Sequence, residues 1–346
     1  MARKRLRVGI AGAGWVATNR HAPVLLARDD VEVVSVYDCD PYRAARLREG
    51  ISKKSNGAVS HHSNLARFLE EGLDIVHVTS SPWSHHDLAM AALRAGAHVL
   101  TEKPLAMSPT EAEGMASEAR RRDRLLCVSH NFLYSASMRA ARLRLGDEKV
   151  DYASGLQLSS DARRLPTWYR DLPGGLMFDE IPHMVYSVAA LLGGGLVLDH
   201  ARATLDDAGL PRTVEVLLQG RTGNGQITMV FCSPVSEWHV IASHRSGVFG
   251  VDLFRDITMH LGPDGTHGSL DVARSSLSAV GGHISGFART GARWVSRRQF
   301  WGHDVLIGEF VEAVQKAQPS PVPLEEALNV VAFTHDLLQV LGLSGT

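Results

Sequence analysis

The sequence predicts two sheets of different character. A doubly wound α/β sheet of parallel strands comes first, and an α+β domain on a mostly antiparallel open sheet follows. Three observations predict this. From residue 6 to about residue 129, short apolar runs alternate with helical patterns. Strands this apolar are covered on both faces, as in parallel sheets flanked by helices. After about residue 145, strand-like runs succeed one another across turn residues with almost no helix between them. Glycines lie between the first apolar run and the first helical pattern, where a doubly wound sheet makes its tightest turn.

Taken in order, "LRVGIA" reads as a strand, residues 15–28 as a helix and "VEVVSVY" as the second strand. Residues 40–49 read as helix, "AVS" as a short strand and 63–71 as helix, and "DIVHVTS" is the next strand. A helix over 84–95, the strand "AHVL", a helix over 108–123 and the strand "LLCVS" complete the first sheet. Beyond it, "YASGLQLSS", "VEVLLQG", "GQITMVFCS", "EWHVIAS" and "VFGVDLF" are strand-like. "RTGNGQ" between two of them is a hairpin signal. Helices are expected only around 179–193 and 303–343. The domains expected are residues 1–130 and 131–346.

A length of 346 residues suits about two domains. The net charge of −1 gives no electrostatic case for nucleic acid as a partner. No apolar run is long enough to span a bilayer, which argues against a membrane partner. The basic start "MARKRLRVGI" lacks the apolar core of a signal peptide, so a cytoplasmic protein is expected. Cys39, Cys127 and Cys232 are scattered and odd in number, which fits a reducing compartment. Of the 17 histidines, His61-His62 and His85-His86 are adjacent pairs that do not share one ion easily. No Cys/His spacing fits zinc, and no metal is expected.

Gly12-Ala13-Gly14-Trp15-Val16-Ala17 has the G-x-G-x-x-(G/A) form between a strand and a helix. Gly12 permits the tight turn, Gly14 lets a diphosphate approach the backbone, and Ala17 is small enough for close helix–strand packing. Asp38 closes the second strand, where a carboxylate takes the ribose hydroxyls of an adenosine. With strand, helix and acid in register, a dinucleotide-binding Rossmann domain outweighs a bare glycine turn. Asp38 would repel a 2′-phosphate, and Arg43 belongs to the next helix. NAD is therefore the expected cofactor, with NADP as the alternative.

In "AGAHVLTEKPLAM", Lys103 stands directly after a buried strand, at the carboxyl edge where such sheets bind ligands. Upstream, "TSSPWSHHDLAMAAL" carries Ser80, Pro82 and His86. Downstream, "GGLMFDEIPHMVY" sets Asp179 and His183 four apart, on one face of a helix. Pro182 is tolerated in a first helical turn, which places the pair at the helix start. Together these segments resemble the glucose–fructose oxidoreductase / inositol dehydrogenase / MocA family across residues 6–193, and more weakly through the C-terminal "HDVLIGEFVEAVQKAQPSPVPLEEALNVV".

The resemblance implies an NAD(P)-dependent oxidoreductase that interconverts a secondary alcohol and a ketone on a sugar, sugar nucleotide or cyclitol. It implies a homo-oligomer assembled through the C-terminal sheet. Lys103, Asp179 and His183 correspond to the catalytic set. Gly12, Gly14, Trp15, Val16, Asp38, Ser80, Pro82, His86, Glu102 and Lys103 correspond to the cofactor contacts. Asn131, Trp168 and Tyr169, with the catalytic three, correspond to the substrate contacts. Imidazole suits proton transfer near neutral pH, and an ammonium stabilises developing alkoxide charge.

Several residues depart from the family pattern. Ile181 replaces a glycine, Tyr186 and Ser187 stand near a second aspartate's place, Glu180 adds a carboxylate, and Leu133 replaces an arginine. They leave open an imine, dihydrodiol or other non-sugar acceptor, or a cofactor-sensing protein without turnover. Residues 286–304 mix Arg289, Arg293, Arg297 and Arg298 with Phe287, Trp294, Phe300 and Trp301. An arm over the sheet or over a neighbouring subunit is expected there, ahead of a membrane surface or a phosphate grip.

Overall fold

The computed structural model describes residues 5–344 except 56, 161, 163, 164, 166, 167, 267 and 297, so Arg297 lies outside the described residues. Two compact units emerge. One comprises Met1–Ser129 and His303–Val331, the other His130–Gly302 and Ala332–Thr346. The units are therefore not two contiguous stretches, because residues 303–331 group with the N-terminal sheet.

The first unit is built on β1 (Leu6–Ala11), β2 (Val31–Tyr37), β3 (Ser60–His62), β4 (Ile75–Val78), β5 (His98–Thr101) and β6 (Leu126–Val128). All their pairings are parallel, in the order β3-β2-β1-β4-β5-β6. Val8, Ile10, Val36, Ile75 and Leu100 are wholly buried, as expected of strands covered on both faces. Strand order reverses between β1 and β4, and the carboxyl ends of those strands form the crevice in which such sheets bind ligands.

Between the strands run α1 (Ala22–Leu26), α2 (Pro41–Ser52), α3 (Leu65–Leu69), α4 (His85–Arg94) and α5 (Pro109–Arg122). Side-chain caps start three of them: Asp40 accepts from Tyr42, Asn64 from Arg67 and Ser108 from Glu111. The helix expected over 15–28 begins differently. A π-helical turn, Ala17–His21, precedes the short α1. The C-terminal helical stretch is two helices, α9 (His303–Lys316) and α10 (Leu324–Val340). Pro319, Pro321 and Pro323 lack the N–H groups a continuous helix needs. Gln315 of α9 donates to Asp30 at 3.1 Å, tying α9 to the first unit.

The second unit opens with α6 (Ala136–Leu145), which Ser135 caps through the Met138 N–H. β7 (Val150–Leu158) and α7 (Leu176–Leu191) follow. Next come β8 (Val197–Leu205), β9 (Pro211–Gln219), β10 (Asn224–Val230), β11 (Glu237–His244), β12 (Gly247–Asp252), β13 (Ile257–Leu261) and α8 (Ser269–Val295). The order is β13-β12-β11-β7-β10-β9-β8. Every pairing is antiparallel except that of β7 with β10. The "RTGNGQ" segment is the β9–β10 turn, with Asn224 opposite Gln219.

α7 covers one face of this sheet. Gly155 makes room there, since a Cβ on it would stand 3.2 Å from Met184 Sδ. The opposite face carries Tyr152, Leu156, Leu217 and Ile241, which are 37–50% exposed.

The largest departure from the sequence expectation is α8, with 27 residues where no helix was anticipated. Its glycines and serines are poor helix formers and read as turn signals. Packing overrides that preference. Gly282 and Gly286 lie against Thr258, Met259 and Ile257 of β13, close enough that side chains would not fit without a shift. Among the described residues, no helix is long and apolar enough to cross a membrane.

A Cβ on Gly286 would stand 2.7 Å from Ile257 Cγ2, whereas one on Gly291 meets nothing within 4 Å. Gly286→Val should destabilise the second unit by about 1–3 kcal/mol through overpacking. Gly291→Ala should be neutral or slightly stabilising. Denaturant midpoints of the two variants check this pair.

Candidate active site

In the first unit, β1 ends in Gly12 at φ +101°, a left-handed conformation that suits glycine. A Cβ there would sit 2.5 Å from the Ser80 backbone nitrogen, so only glycine lets the β1 and β4 ends meet. Thr79 Oγ1 donates to the Gly12 carbonyl at 2.6 Å and closes the contact. Gly14 is glycine for a different reason. A Cβ on it would approach no protein atom closer than Thr79 O at 3.9 Å. Nothing in the protein requires that space to be empty, and it is the space a diphosphate needs above a helix start. The loop therefore fits a dinucleotide.

Asp38 is almost fully buried and accepts the Ala13 N–H at 2.7 Å and the Asp40 N–H at 2.9 Å. Its carboxylate thus fixes the glycine loop, a duty beyond the ribose contact expected of it. Arg43 pairs with Asp40 at 3.3 Å. Trp15 is exposed, with the Arg20 guanidinium 4.7 Å above its ring, and Val16 is half-buried.

Ser80 accepts from Ser84 Oγ at 2.7 Å, and the buried Pro82 begins the short turn after it. The histidine pair divides its labour. His85 is wholly buried, with Nδ1 2.7 Å from the Pro104 carbonyl and Nε2 3.2 Å from the Ser80 carbonyl. It ties the turn after β4 to the Glu102-Lys103-Pro104 segment. His86, the residue singled out from the sequence, faces Asp87 at 2.9 Å. Lys103 is half-buried directly after the β5 edge.

Glu102 enters a network that the sequence did not reveal. The π turn carries His21 into the interior, with Nε2 2.8 Å from the Glu102 carboxylate and Nδ1 2.7 Å from His77 Nδ1. His303 of α9 stands 3.4 Å from the same carboxylate oxygen. His21, Glu102 and His303 form a group with metal-ligand chemistry, as do Glu237, His239 and Asp252 in the second unit. Hydrogen bonds account for the first approach. A carboxylate makes His21 Nε2 the donor, so in a neutral ring Nδ1 accepts and His77 Nδ1 donates. Burial pushes the His77 and His21 imidazoles below their ordinary range. Burial would raise Glu102, but the hydrogen bonds and charges of His21 and His303 outweigh it and hold the carboxyl well below the usual range.

In the second unit, α7 starts after Gly174 and Gly175, both at positive φ. Pro182 is not in the first turn as expected. The helix begins one turn earlier, at Leu176, and Pro182 lies inside it. From residue 176 to 188 every residue is buried except Asp179 and His183. Glu180, taken from the sequence as a carboxylate beside the site, points into the sheet instead. It is buried and accepts from Gln157 Nε2 and, at 3.0 Å, from Ser159 Oγ.

His183 lies edge-on to Phe132 at 5.1 Å and 5.3 Å from the Trp238 ring. Its Nδ1 is 2.7 Å from the Tyr186 hydroxyl. Tyr186 reaches Asn131 Oδ1 at 3.4 Å and accepts the Phe132 N–H at 3.3 Å. Asn131 Nδ2 donates to the Trp301 carbonyl at 2.9 Å. Asn131 is thus buried behind His183, as a support. Tyr186 is the residue that sequence reasoning noticed only as a departure; its place three residues after His183, within reach on a helix, was the available signal. Trp168 and Tyr169 are half-buried at the short turn Tyr169–Asp171 before α7. Leu133 is buried.

Residues 6–130 match an oxidoreductase family described by its NAD-binding Rossmann fold. Over 198 residues the chain is 32% identical to D-glucoside 3-dehydrogenase of Escherichia coli K12, covering 54% of each chain. Over 132 residues it is 36% identical to dTDP-3,4-didehydro-2,6-dideoxy-alpha-D-glucose 3-reductase of Streptomyces antibioticus, covering 38% of this chain and 39% of that one. The chain thus spans about half or less of the length of these curated relatives. Among solved structures, GenD2 from gentamicin A biosynthesis, in complex with NAD, superposes with a TM-score of 0.77 at 20% identity, covering 99% of this chain and 94% of that one. At that identity the likeness concerns the fold. With its glycine loop and its Glu-Lys-Pro segment, the first sheet is the part of the chain that matches the NAD-binding domain of the glucose–fructose oxidoreductase / inositol dehydrogenase / MocA family of oxidoreductases.

Proposed function

We propose that this protein is an NAD-dependent dehydrogenase or ketoreductase acting on a secondary alcohol of a hexose derivative, at ring position 3. Two curated relatives carry that position in their names, one for a glucoside and one for a nucleotide-linked deoxysugar. The observation that carries the reading is the accessible pair on α7. Asp179 and His183 alone break a buried run, and the imidazole is oriented from behind by Tyr186.

Oxidation of an alcohol removes a hydride from carbon and a proton from oxygen. NAD, when bound, supplies the nicotinamide ring that takes the hydride. The protein handles the proton. Asn131 turns its amide nitrogen to the Trp301 carbonyl and so offers Oδ1 to Tyr186. The Tyr186 hydroxyl donates there, and its oxygen accepts His183 Nδ1–H. His183 Nε2 then keeps its lone pair and acts as the base toward the substrate hydroxyl. In the reductive direction the same nitrogen returns the proton. Asp179, on the same face of α7, holds a neighbouring sugar hydroxyl, and Lys103 stabilises the alkoxide charge that develops during transfer. Trp168 and Tyr169 line the sugar side. The loop around Gly12, Gly14 and Asp38 holds the dinucleotide, and the Asp38 carboxylate favours NAD over NADP.

The exposed apolar face of the second sheet suits assembly of copies of this chain, as the family resemblance implies. Cys39, Cys127 and Cys232 are free thiols, which supports a reducing, cytoplasmic setting.

NADH binding followed by tryptophan fluorescence, then turnover on glucosides and nucleotide-linked hexoses with their 3-keto forms, tests this reading. Lys103→Ala and His183→Ala should each lower turnover by about 10²–10⁴-fold while NADH affinity holds. Full activity in either variant would refute the assigned role. Tyr186→Phe should keep NADH affinity and substrate KM but lower kcat by roughly tenfold or more, through loss of the favoured tautomer. An unchanged kcat would remove Tyr186 from the mechanism.

The buried histidines make a separate prediction. Their folded pKa values are depressed, so below about pH 6.5 the unfolded chain binds more protons than the folded one. Stability should therefore fall from pH 7 to pH 5, by up to about 1.4 kcal/mol per pH unit for each histidine kept neutral. His77→Gln, which retains a donor, should flatten that slope. Glu102 acts in a lower window: its contribution is present above the ordinary carboxylate range and is lost as pH falls through its depressed value. Thermal melts across pH read both effects.

A further inference from the structure

α8 presents two faces of opposite kind. One is a stripe of small residues: Gly282 and Gly286 are seated on β13, and Thr290 Oγ1 donates to the Asp256 carbonyl just before it. The other is an apolar seam exposed to solvent. Leu270, Leu277, Val280, Ile284, Phe287 and Trp294 are 55–76% exposed. With Ala273 and Gly291 between them they alternate in steps of three and four without a break, the spacing of the a and d positions of a heptad.

At roughly 200 Å² per large side chain, that exposure leaves on the order of 700–800 Å² of apolar surface in one row. The largest apolar patch on an ordinary monomer is about 300–600 Å². A stable interface takes about 800 Å² from each partner. The seam therefore has the area of one half of an interface.

Its borders say what kind of partner it takes. The flanking positions are mostly small and uncharged: Ser276, Gly281, Ala288 and Thr290, with His283 as a titratable exception and Arg274 as a charged one. Interfacial membrane helices instead border their apolar face with lysine and arginine. Here Arg289 and Arg293 follow Gly286 on the arc turned to β13, and Arg293 reaches the Asp256 carboxylate at 3.3 Å.

We infer that α8 is a self-association helix, on which a second copy of this chain pairs its own α8 in antiparallel register about a two-fold axis near residue 282. That register is self-complementary. It brings the Leu277 position to the Phe287 position, the Val280 position to the Ile284 position, and the two small residues, Ala273 and Gly291, together. An isologous contact of this kind closes on itself and needs no second patch. It is separate from the open face of the β7–β13 sheet and independent of the reaction proposed above.

Sedimentation velocity on the full chain at micromolar concentration tests it, with far-ultraviolet circular dichroism as a check on folding. Ile284→Glu and Leu277→Glu should each reduce the assembly mass by half while leaving the spectrum unchanged. Ile284→Leu should keep the wild-type mass. Backbone amides of residues 270–294 should exchange hydrogen faster in Ile284→Glu than in the wild type. Charged variants that retain the wild-type mass would overturn the inference. So would a wild type that is already monomeric, or one that floats with phosphatidylglycerol vesicles through this helix.

Discussion

The close approach of two backbones at the carboxyl ends of β1 and β4 is the constraint on which the first unit depends. A Cβ on Gly12 would lie within 2.7 Å of the Thr79 and Ser80 main chain, so the contact exists only because that position has no side chain. The Thr79 hydroxyl and the Asp38 carboxylate then hold the loop from two sides. With the turn fixed, the vacancy at Gly14 has a defined position and direction, and a diphosphate meets a preorganised loop. Preorganisation of this kind lowers the entropic cost of binding.

The second unit solves the same problem with a helix. α7 is apolar on nearly every side and packs against a strand that supplies Gly155, Gln157 and Ser159. A helix so enclosed has little freedom, and its two accessible side chains share that rigidity. Pro182 removes one hydrogen bond from the helix interior, and the helix continues through it because its buried faces are held by packing. Glu180, adjacent in sequence to Asp179, is turned inward by the helical rotation and serves the sheet.

Much of the architecture was legible because it rests on local signals. Strand apolarity, the glycine turn, the Asp38 position and the "RTGNGQ" hairpin declare themselves within a few residues of sequence. Of the three residues carried over from the family resemblance, Lys103 follows a strand end in the first unit, and Asp179 and His183 share one half-buried helical face in the second. What stayed hidden rests on contacts distant in sequence. His21 enters the interior only because the helix after the glycine loop opens as a π turn, and no residue pattern announces that. Its partners, His77, Glu102 and His303, come from three other segments. Tyr186 stands in sequence near the place of an aspartate, and only the fold brings its hydroxyl against His183. α8 was concealed by its own glycines, which local rules read as turn formers and which close packing on β13 uses as the means of approach.

Two polar chains of similar composition thus end differently, one enclosed and one half-buried. In the first unit the chain runs from His77 through His21 to Glu102, and all three are enclosed. Any proton added there must enter a desolvated cluster, so the network resists titration and acts as a brace between the π turn, β4 and the start of the Glu-Lys-Pro segment. In the second unit the chain runs from Trp301 through Asn131 and Tyr186 to His183, and its last member reaches solvent. There the same kind of hydrogen bonding orients an imidazole that is only half-buried. A histidine whose two nitrogens are both engaged inside the protein is structural. One held on a half-buried helical face keeps the exposure that proton transfer requires.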